Sequence, residues 1–162
     1  MSGAPRMRVR TASLRDHDAL CALFDELDEF HRRARPDLFQ PFAGPVRTRE
    51  QVARGLSEAG STVLVAENEE GVVGLAVLLT RPASPFAGAV PRKVIELDNL
   101  VVHADQRNRK IGRRLLAATV DWARDRKATH VEVGVHAFNS GARRFYEGFG
   151  FRPSIDRLKL VA

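Results

Sequence analysis

The chain has 162 residues, enough for one domain with a buried core, and its 44% hydrophobic and 28% charged residues are ordinary for a soluble globular protein. The 26 Lys and Arg against 20 Asp and Glu leave a net charge of +6, which suits an anionic ligand, a nucleic acid, a membrane surface or simple solubility. A single cysteine, Cys21, excludes an internal disulfide framework and a multi-cysteine metal site. No apolar run approaches the roughly 18 residues that span a bilayer. The N-terminus lacks the apolar core of a signal peptide, so a cytoplasmic location is expected.

Met1 to Met7 reads as a disordered lead-in, and 8–162 as one domain. Arg8 to Ala12 alternates like an edge strand. Ser13 or Asp16 can cap the next helix, whose Leu20, Leu23, Phe24, Leu27 and Phe30 recur on one buried face. Cys21 sits among apolar residues there, as a buried thiol. Pro36 ends the helix. The loop to Val46 holds Leu38, Phe39 and Phe42, which either line a pocket or pack onto the core. Thr48 and Gln51 have capping-box spacing for a helix to Leu56.

Thr62 to Glu67 and Val72 to Leu79 are strands joined by a hairpin turn at Asn68 to Gly71. A second proline-rich loop, Arg81 to Pro91, carries Phe86. Val94 to Val102 is the next strand. The basic turn from Arg107 to Arg113 opens a helix with Ile111, Leu115, Ala118 and Trp122 at helical spacing. His130 to Val135 is a strand. Asn139 or Ser140 caps a short helix through Tyr146 that ends at Gly148 or Gly150. Phe151 and Ile155 to Val161 read as closing strands. The order gives a mixed α/β (α+β) sheet with helices on its faces, with no repeat and no linker.

The organising stretch runs from Glu96 to Trp122. A strand feeding a Gly-containing turn that opens a helix is an anion site, because the first helical N–H groups lack partners and the dipole is positive there. Arg107, Arg109, Lys110 and Arg113 add charge. Downstream stands Asn139-x-x-Ala142-x-x-Phe145-Tyr146-x-x-x-Gly150-Phe151.

Together these stretches resemble the GNAT superfamily of N-acetyltransferases. Its R/Q-x-x-G-x-G/A signature is present as Arg107-x-x-Lys110-x-Gly112, and its N-x-x-A-x-x-F-Y-x-x-x-G-F pattern is complete. The resemblance covers about Val63 to Phe151. It implies a mostly antiparallel twisted sheet of six to seven strands with about four helices, splayed between the fourth and fifth strands. It implies acetyl-CoA as donor and a primary amine as acceptor. By the same carry-over, the backbone of Leu100, Val101 and Val102 lines the pantetheine arm. Arg107, Asn108, Arg109, Lys110, Ile111, Gly112 and Arg113 hold the diphosphate, and Asn139 contacts the arm. Lys110 replaces the first motif glycine. A lysine there is expected to keep ordinary dihedrals, swing its side chain aside and displace the diphosphate slightly.

Acyl transfer to an amine needs a base for the protonated amine, donors for the developing oxyanion and a proton for the thiolate. A strand N–H near Val101 or Val102 suits the oxyanion. Tyr146 stands at the superfamily's position for the acid. Glu96 and Asp98 alternate on one strand face and are the leading base candidates, with Glu132, His103 or a water chain beside them. Phe39, Phe42 and Phe86 point to an acceptor with an apolar part. Two other readings are a catalytically silent CoA-binding domain and a nucleic-acid module. The second lacks aromatics interleaved with its cations. No metal, nucleic-acid or membrane partner is expected. A homodimer through the edge strand Ile155 to Val161 is.

Overall fold

A computed structural model describes residues 6–44 and 47–162. Five strands pair in chain order: β1 (Arg8–Thr11), β2 (Ser61–Asn68), β3 (Gly71–Thr80), β4 (Val94–Val102) and β5 (His130–Val133). The first four pair antiparallel; β5 joins β4 in parallel. Four helices flank the sheet: α1 (His17–Ala34), α2 (Arg49–Ser57), α3 (Ile111–Asp125) and α4 (Ser140–Phe149). Pro45, Val46 and most of the expected lead-in lie outside the described residues. Met7 lies inside them and packs on the core, its carbonyl accepting from Arg114 Nη1 at 3.2 Å.

Period-two alternation assigns each strand residue to one of two cores. Val63 and Val65 face α1 and α2, with Leu75, Val77 and Val101. Leu64 and Ala66 face α3 and α4, with Ala76, Leu78, Ile95 and Leu97. Helix α1 buries Leu20, Leu23 and Phe24. Phe30, expected on that stripe, is instead 44% exposed. It sits beyond the sheet and meets Phe138 (ring centroids 6.0 Å). Helix α3 buries Ile111, Leu115, Leu116 and Thr119, and the Thr119 hydroxyl donates to the Leu115 carbonyl at 2.9 Å. Thr48 and Gln51 cap α2 reciprocally, and Pro36 follows the end of α1.

The strand count is lower than the sequence pattern implies. Phe151 and Ile155 to Val161 form no strand. Ile155, Leu158, Leu160 and Val161 are 84–93% exposed. Their alternation supplies a strand pattern but no partner among the described residues, and an unpaired strand does not form. Strand β5 also stops at Val133, two residues before the apolar alternation does.

One polar knot holds the N-terminal edge. Arg10 donates to Asp16 through Nη1 (2.8 Å) and Nη2 (2.9 Å) and to Glu67 through Nη2 (3.0 Å). The Ser13 N–H adds a bond to Asp16 at 2.8 Å. The Arg10 guanidinium, with help from that N–H, holds the buried Asp16 carboxyl at about 2. The stability this contributes is fully present above the unfolded-state pKa near 3.9 and is lost as pH falls toward 2. Denaturation midpoints across pH 7 to 2 therefore test it. Arg10→Met is expected to lower stability at pH 7 by about 2 kcal/mol and to flatten the acid limb below pH 4.

Candidate functional site

The site begins where β4 loses a neighbour. The β4–β5 ladder runs from Val94–His130 to Leu97–Val133 and ends. On its other side β4 continues to pair with β3 as far as Val102–Gly74. The register slips there: Leu78 opposes Leu97 and Val77 opposes Asn99, so Asp98 is a bulged residue without a β3 partner. A bulge bends a strand and re-aims its side chains. Here Asp98 and Asn99 both reach the α1/α2 face, whereas Leu97 and Leu100 join the α3/α4 core. From Asp98 to Val102 the edge turned toward β5 has no strand partner among the described residues, so the sheet splays between β4 and β5 as expected.

Asp98 and Asn99 line a cavity of about 230 Å3 between the sheet and helices α1 and α2. Asn99 Nδ2 donates to Asp98 Oδ2 at 2.6 Å. Surrounding protein, and next the charge of Glu96, push the Asp98 carboxyl above its ordinary value although its surface opens on the cleft. Glu96 is differently placed. Arg81 Nε donates to it at 2.6 Å, and its register partner Glu132 takes Arg92 at 3.2 Å. The proline-rich loop thus supplies a cation to each strand glutamate. His103 is also engaged, its Nδ1 accepting from the Asp105 N–H and its Nε2 lying 3.3 Å from Glu26.

Beyond β4, Asn108 and Lys110 adopt left-handed backbone (φ 64° and 61°) and the chain enters α3. Lys110 is the residue preceding the helix (ψ 17°). This corrects the expectation that it keeps ordinary dihedrals: the turn needs the glycine conformation, and the lysine adopts it. Among the described residues, no acceptor meets the N–H groups of 108–113, and no carboxylate pairs with Arg107, Arg109, Lys110 or Arg113. Arg107 and Arg109 are steadied by the Val102 carbonyl and Gln106. A Cβ on Gly112 would stand 3.0 Å from Phe145 Cζ, so a bare glycine lets α4 close on the start of α3. Free N–H groups, unpaired cations and a helix N-terminus match what a diphosphate requires.

Tyr146 of α4 is 8% exposed, between Phe145 and Phe151 (ring centroids 5.3 and 5.5 Å). Burial pushes its phenol up to about 12. Its hydroxyl has no partner among the described residues and is not sealed from solvent. Asn139 caps α4, its Oδ1 accepting from the Ala142 N–H at 3.1 Å.

The loop aromatics do not meet at the Asp98 cavity. Phe42 and Phe86 are 52% and 71% exposed. Phe39 packs on His31 and His136 (5.3 and 5.6 Å), and Phe138 stacks on His136 at 5.5 Å. Of this cluster, which ties the end of α1 to the segment leaving β5, only Phe39 stands out in the sequence. His136 follows Glu132 in the β5 alternation, and that was its only signal. Burial, then His31 and Arg35, push His136 below its ordinary value. A larger depression of about 300 Å3 lies on the outer end of α1, but its Glu29 is held by Arg32 and Arg33 and none of the cleft's groups line it. Cys21 is half-buried rather than buried; burial, then Asp25 and Asp18, raise its thiol.

The family model described as "Acetyltransferase (GNAT) family" matches residues 20–151. The chain belongs to this family. The uncharacterised N-acetyltransferase YhfO of Bacillus subtilis is 28% identical over 145 residues, 90% of this chain and 89% of that one. N-acetyltransferase 8B of Rattus norvegicus is 33% identical over 99 residues, 61% of this chain and 43% of that protein. Among solved structures, a tetramutant of the BH1408 protein from Bacillus halodurans superposes with a TM-score of 0.89 at 24% identity, covering 96% of this chain and 99% of that one. An aminoglycoside N-acetyltransferase, AAC(6')-Iy in complex with CoA, superposes at 0.77 with 14% identity, covering 100% and 98%. These superpositions establish a shared fold. No helix among the described residues is long and apolar enough to cross a membrane.

A left-handed lysine carries backbone strain of about 1–2 kcal/mol that glycine avoids. Lys110→Gly is therefore expected to raise stability by about 1 kcal/mol net of chain entropy. A denaturant titration with unchanged slope checks it.

Proposed function

We propose that the protein is an acetyl-CoA-dependent N-acetyltransferase acting on a primary amine of a small molecule or peptide. One observation carries the reading. Strand β4 loses its β5 partner after Leu97 and runs from that gap into the turn at 107–113, where the N–H groups of 108–113 and the cations have no partner of opposite kind among the described residues. An extended amide-bearing arm ending in a diphosphate needs those two features in that order. The CoA complex named for one structural neighbour supports the same choice.

In this reading the open edge at Leu100, Val101 and Val102 pairs with the amides of the arm. Residues 107–113 hold the diphosphate through backbone N–H groups and side-chain charge. Asn139 spends its oxygen on the α4 cap and keeps its NH2 group for the arm. Bound acetyl-CoA supplies an activated acyl carbon. An N–H near Val101 or Val102 serves the carbonyl oxygen as it gains charge. Asp98 takes the proton of the incoming ammonium, directly or through water, because its carboxyl opens on the cavity while Glu96 is committed to Arg81. Tyr146 protonates the departing thiolate, and the second proton, shed by the nitrogen as it becomes an amide, returns through water to the tyrosinate. With a pKa raised to about 12 the phenol keeps its proton throughout the neutral range.

Acetyl-CoA titrated calorimetrically should release heat, and its absence removes the assignment. Tyr146→Phe is expected to lower kcat roughly 100-fold, in the range of lost general acid catalysis, with acetyl-CoA affinity held within about twofold. Asp98→Asn should lower kcat/KM and abolish the acidic limb of its pH profile. Because the Asp98 pKa is raised, that limb lies above the ordinary aspartate range, with activity rising as pH climbs through it. A silent CoA-binding domain would bind without turnover.

We propose, in addition, that the protein self-associates through residues 155–161. Support comes from four large apolar residues, Ile155, Leu158, Leu160 and Val161, exposed on a strand-patterned segment, and from the outer edge of β5, which no strand pairs among the described residues. Light scattering after size exclusion should give a dimer for the full chain and a monomer for a chain ending at Ser154. A monomeric full chain refutes it.

A further inference from the structure

We infer that the acceptor is a small amino-carboxylate: one ammonium and one carboxylate on an apolar body, its amine at Asp98 and its carboxylate at Arg47. The inference rests on the transferase reading above and names the substrate class of that site.

The size of the cavity comes first. At about 230 Å3 it lies below the roughly 300–1,000 Å3 of pockets that take drug-sized ligands. It opens to solvent on one side, and the space between its walls matches a body the size of one amino acid. Its walls are largely apolar, from Leu20, Phe24, Val52, Val63 and Val77, with the amides of Gln51 and Asn99 among them. Such walls favour a hydrocarbon body over a polyhydroxylated one.

The charges come second. Asp98 and Arg47 both line this one cavity, yet no ion pair within 4.0 Å joins them among the described residues. They are close enough for the Arg47 charge to oppose the rise of the Asp98 pKa. A cavity wall with one carboxylate and one guanidinium held apart is complementary to a zwitterion. A diamine or polyamine would set its second ammonium near Arg47, at a repulsive cost. A simple amine would leave the guanidinium with only its long contact to Asp28.

The guanidinium is also held ready. Its Cζ lies 3.5 Å from the centroid of the Phe24 ring, a stacking that leaves the edge of the fork free for a carboxylate. Its contact with Asp28 Oδ2 is long, at 3.5 Å. The backbone beneath is pinned to α1: the Arg47 carbonyl lies 3.0 Å from His17 Nε2 and 3.5 Å from Cys21 Sγ. Substituting the Arg47 side chain leaves those backbone contacts in place.

The test compares matched acceptors by CoA thiol release with acetyl-CoA: L-phenylalanine against 2-phenylethylamine, L-leucine against 3-methylbutylamine, and kanamycin as a polycation. Each amino acid is expected to exceed its decarboxylated partner at least tenfold in kcat/KM and to exceed kanamycin. In Arg47→Met that preference should fall to near unity through KM, and Arg47→Lys should restore part of it. Equal or better use of the decarboxylated amines or of kanamycin overturns the inference. So does an Arg47→Met effect that is the same for both members of a pair. Binding of L-phenylalanine is measured separately by NMR titration of wild type and Arg47→Met, with and without CoA. If CoA binds and the amino acid binds in neither condition, only the acceptor assignment falls. If CoA fails to bind, the transferase reading falls, and the amino acid titration still decides whether the Asp98–Arg47 cavity takes a zwitterion.

Discussion

Strand β4 has two edges, and only one of them is paired along its whole length. Toward β3 the ladder reaches Val102; toward β5 it ends at Leu97. A partly unpaired central strand is costly, because its N–H and C=O groups must find water or a ligand. The fold concentrates that cost in one place. The bulge at Asp98 bends β4 where β5 leaves it, so the gap and the cavity-lining carboxylate arise from the same extra residue. Deleting Asp98 would restore simple alternation with Asn99 still on the cavity face, leaving the sheet better paired and the cavity without its carboxylate.

The turn after β4 supplies the electrostatic counterpart. Two non-glycine residues, Asn108 and Lys110, sit in left-handed backbone within three positions. Strained conformations persist where the surroundings over-determine them. Here Ile111 and Leu115 are buried to 3% and 0%, which fixes the start of α3, and Gly112 admits Phe145. The helix start is anchored from below by the core and presents its N–H groups outward. The cations around it are held by neutral partners, the Val102 carbonyl and Gln106, and so keep their charge uncompensated. The acidic residues of the chain are spent elsewhere, as on Arg10, Arg81 and Arg92.

Much of this was legible in the residues. The bounds of β4, Val94 to Val102, follow from its apolar run, and Thr48 with Gln51 announces α2 through capping chemistry. Local rules suffice where the structure obeys them. They fail where partners are remote. Ile155 to Val161 has a strand's alternation, but a strand exists only with a neighbour, and alternation says nothing of one. Phe30 keeps helical spacing yet lies past the reach of the sheet. The turn dihedrals of Lys110 contradict its intrinsic preference because tertiary packing outweighs it. The bulge was invisible because a one-residue slip leaves no mark on composition. The Arg81–Glu96 and Arg92–Glu132 pairs were invisible because they join a loop to strands 15 and 40 residues away.

Those pairs separate the roles of carboxylates that the sequence could not rank. Glu96 and Glu132 face each other across the ladder as like charges, and each is offset by its own arginine. Asp98, two residues on, has an amide as its partner and no cation within ion-pair distance among the described residues. A carboxylate whose oxygens already hold an arginine must give up that pair to take a proton. One raised by burial and by a neighbouring negative charge accepts it more readily. Environment therefore divides the three: two fix the proline-rich loop to the sheet, and the bulged one faces the cavity without an arginine on it, as the proposed role requires. The same loop that binds Glu96 through Arg81 keeps that glutamate beside Asp98, where its charge adds to burial in raising the Asp98 carboxyl.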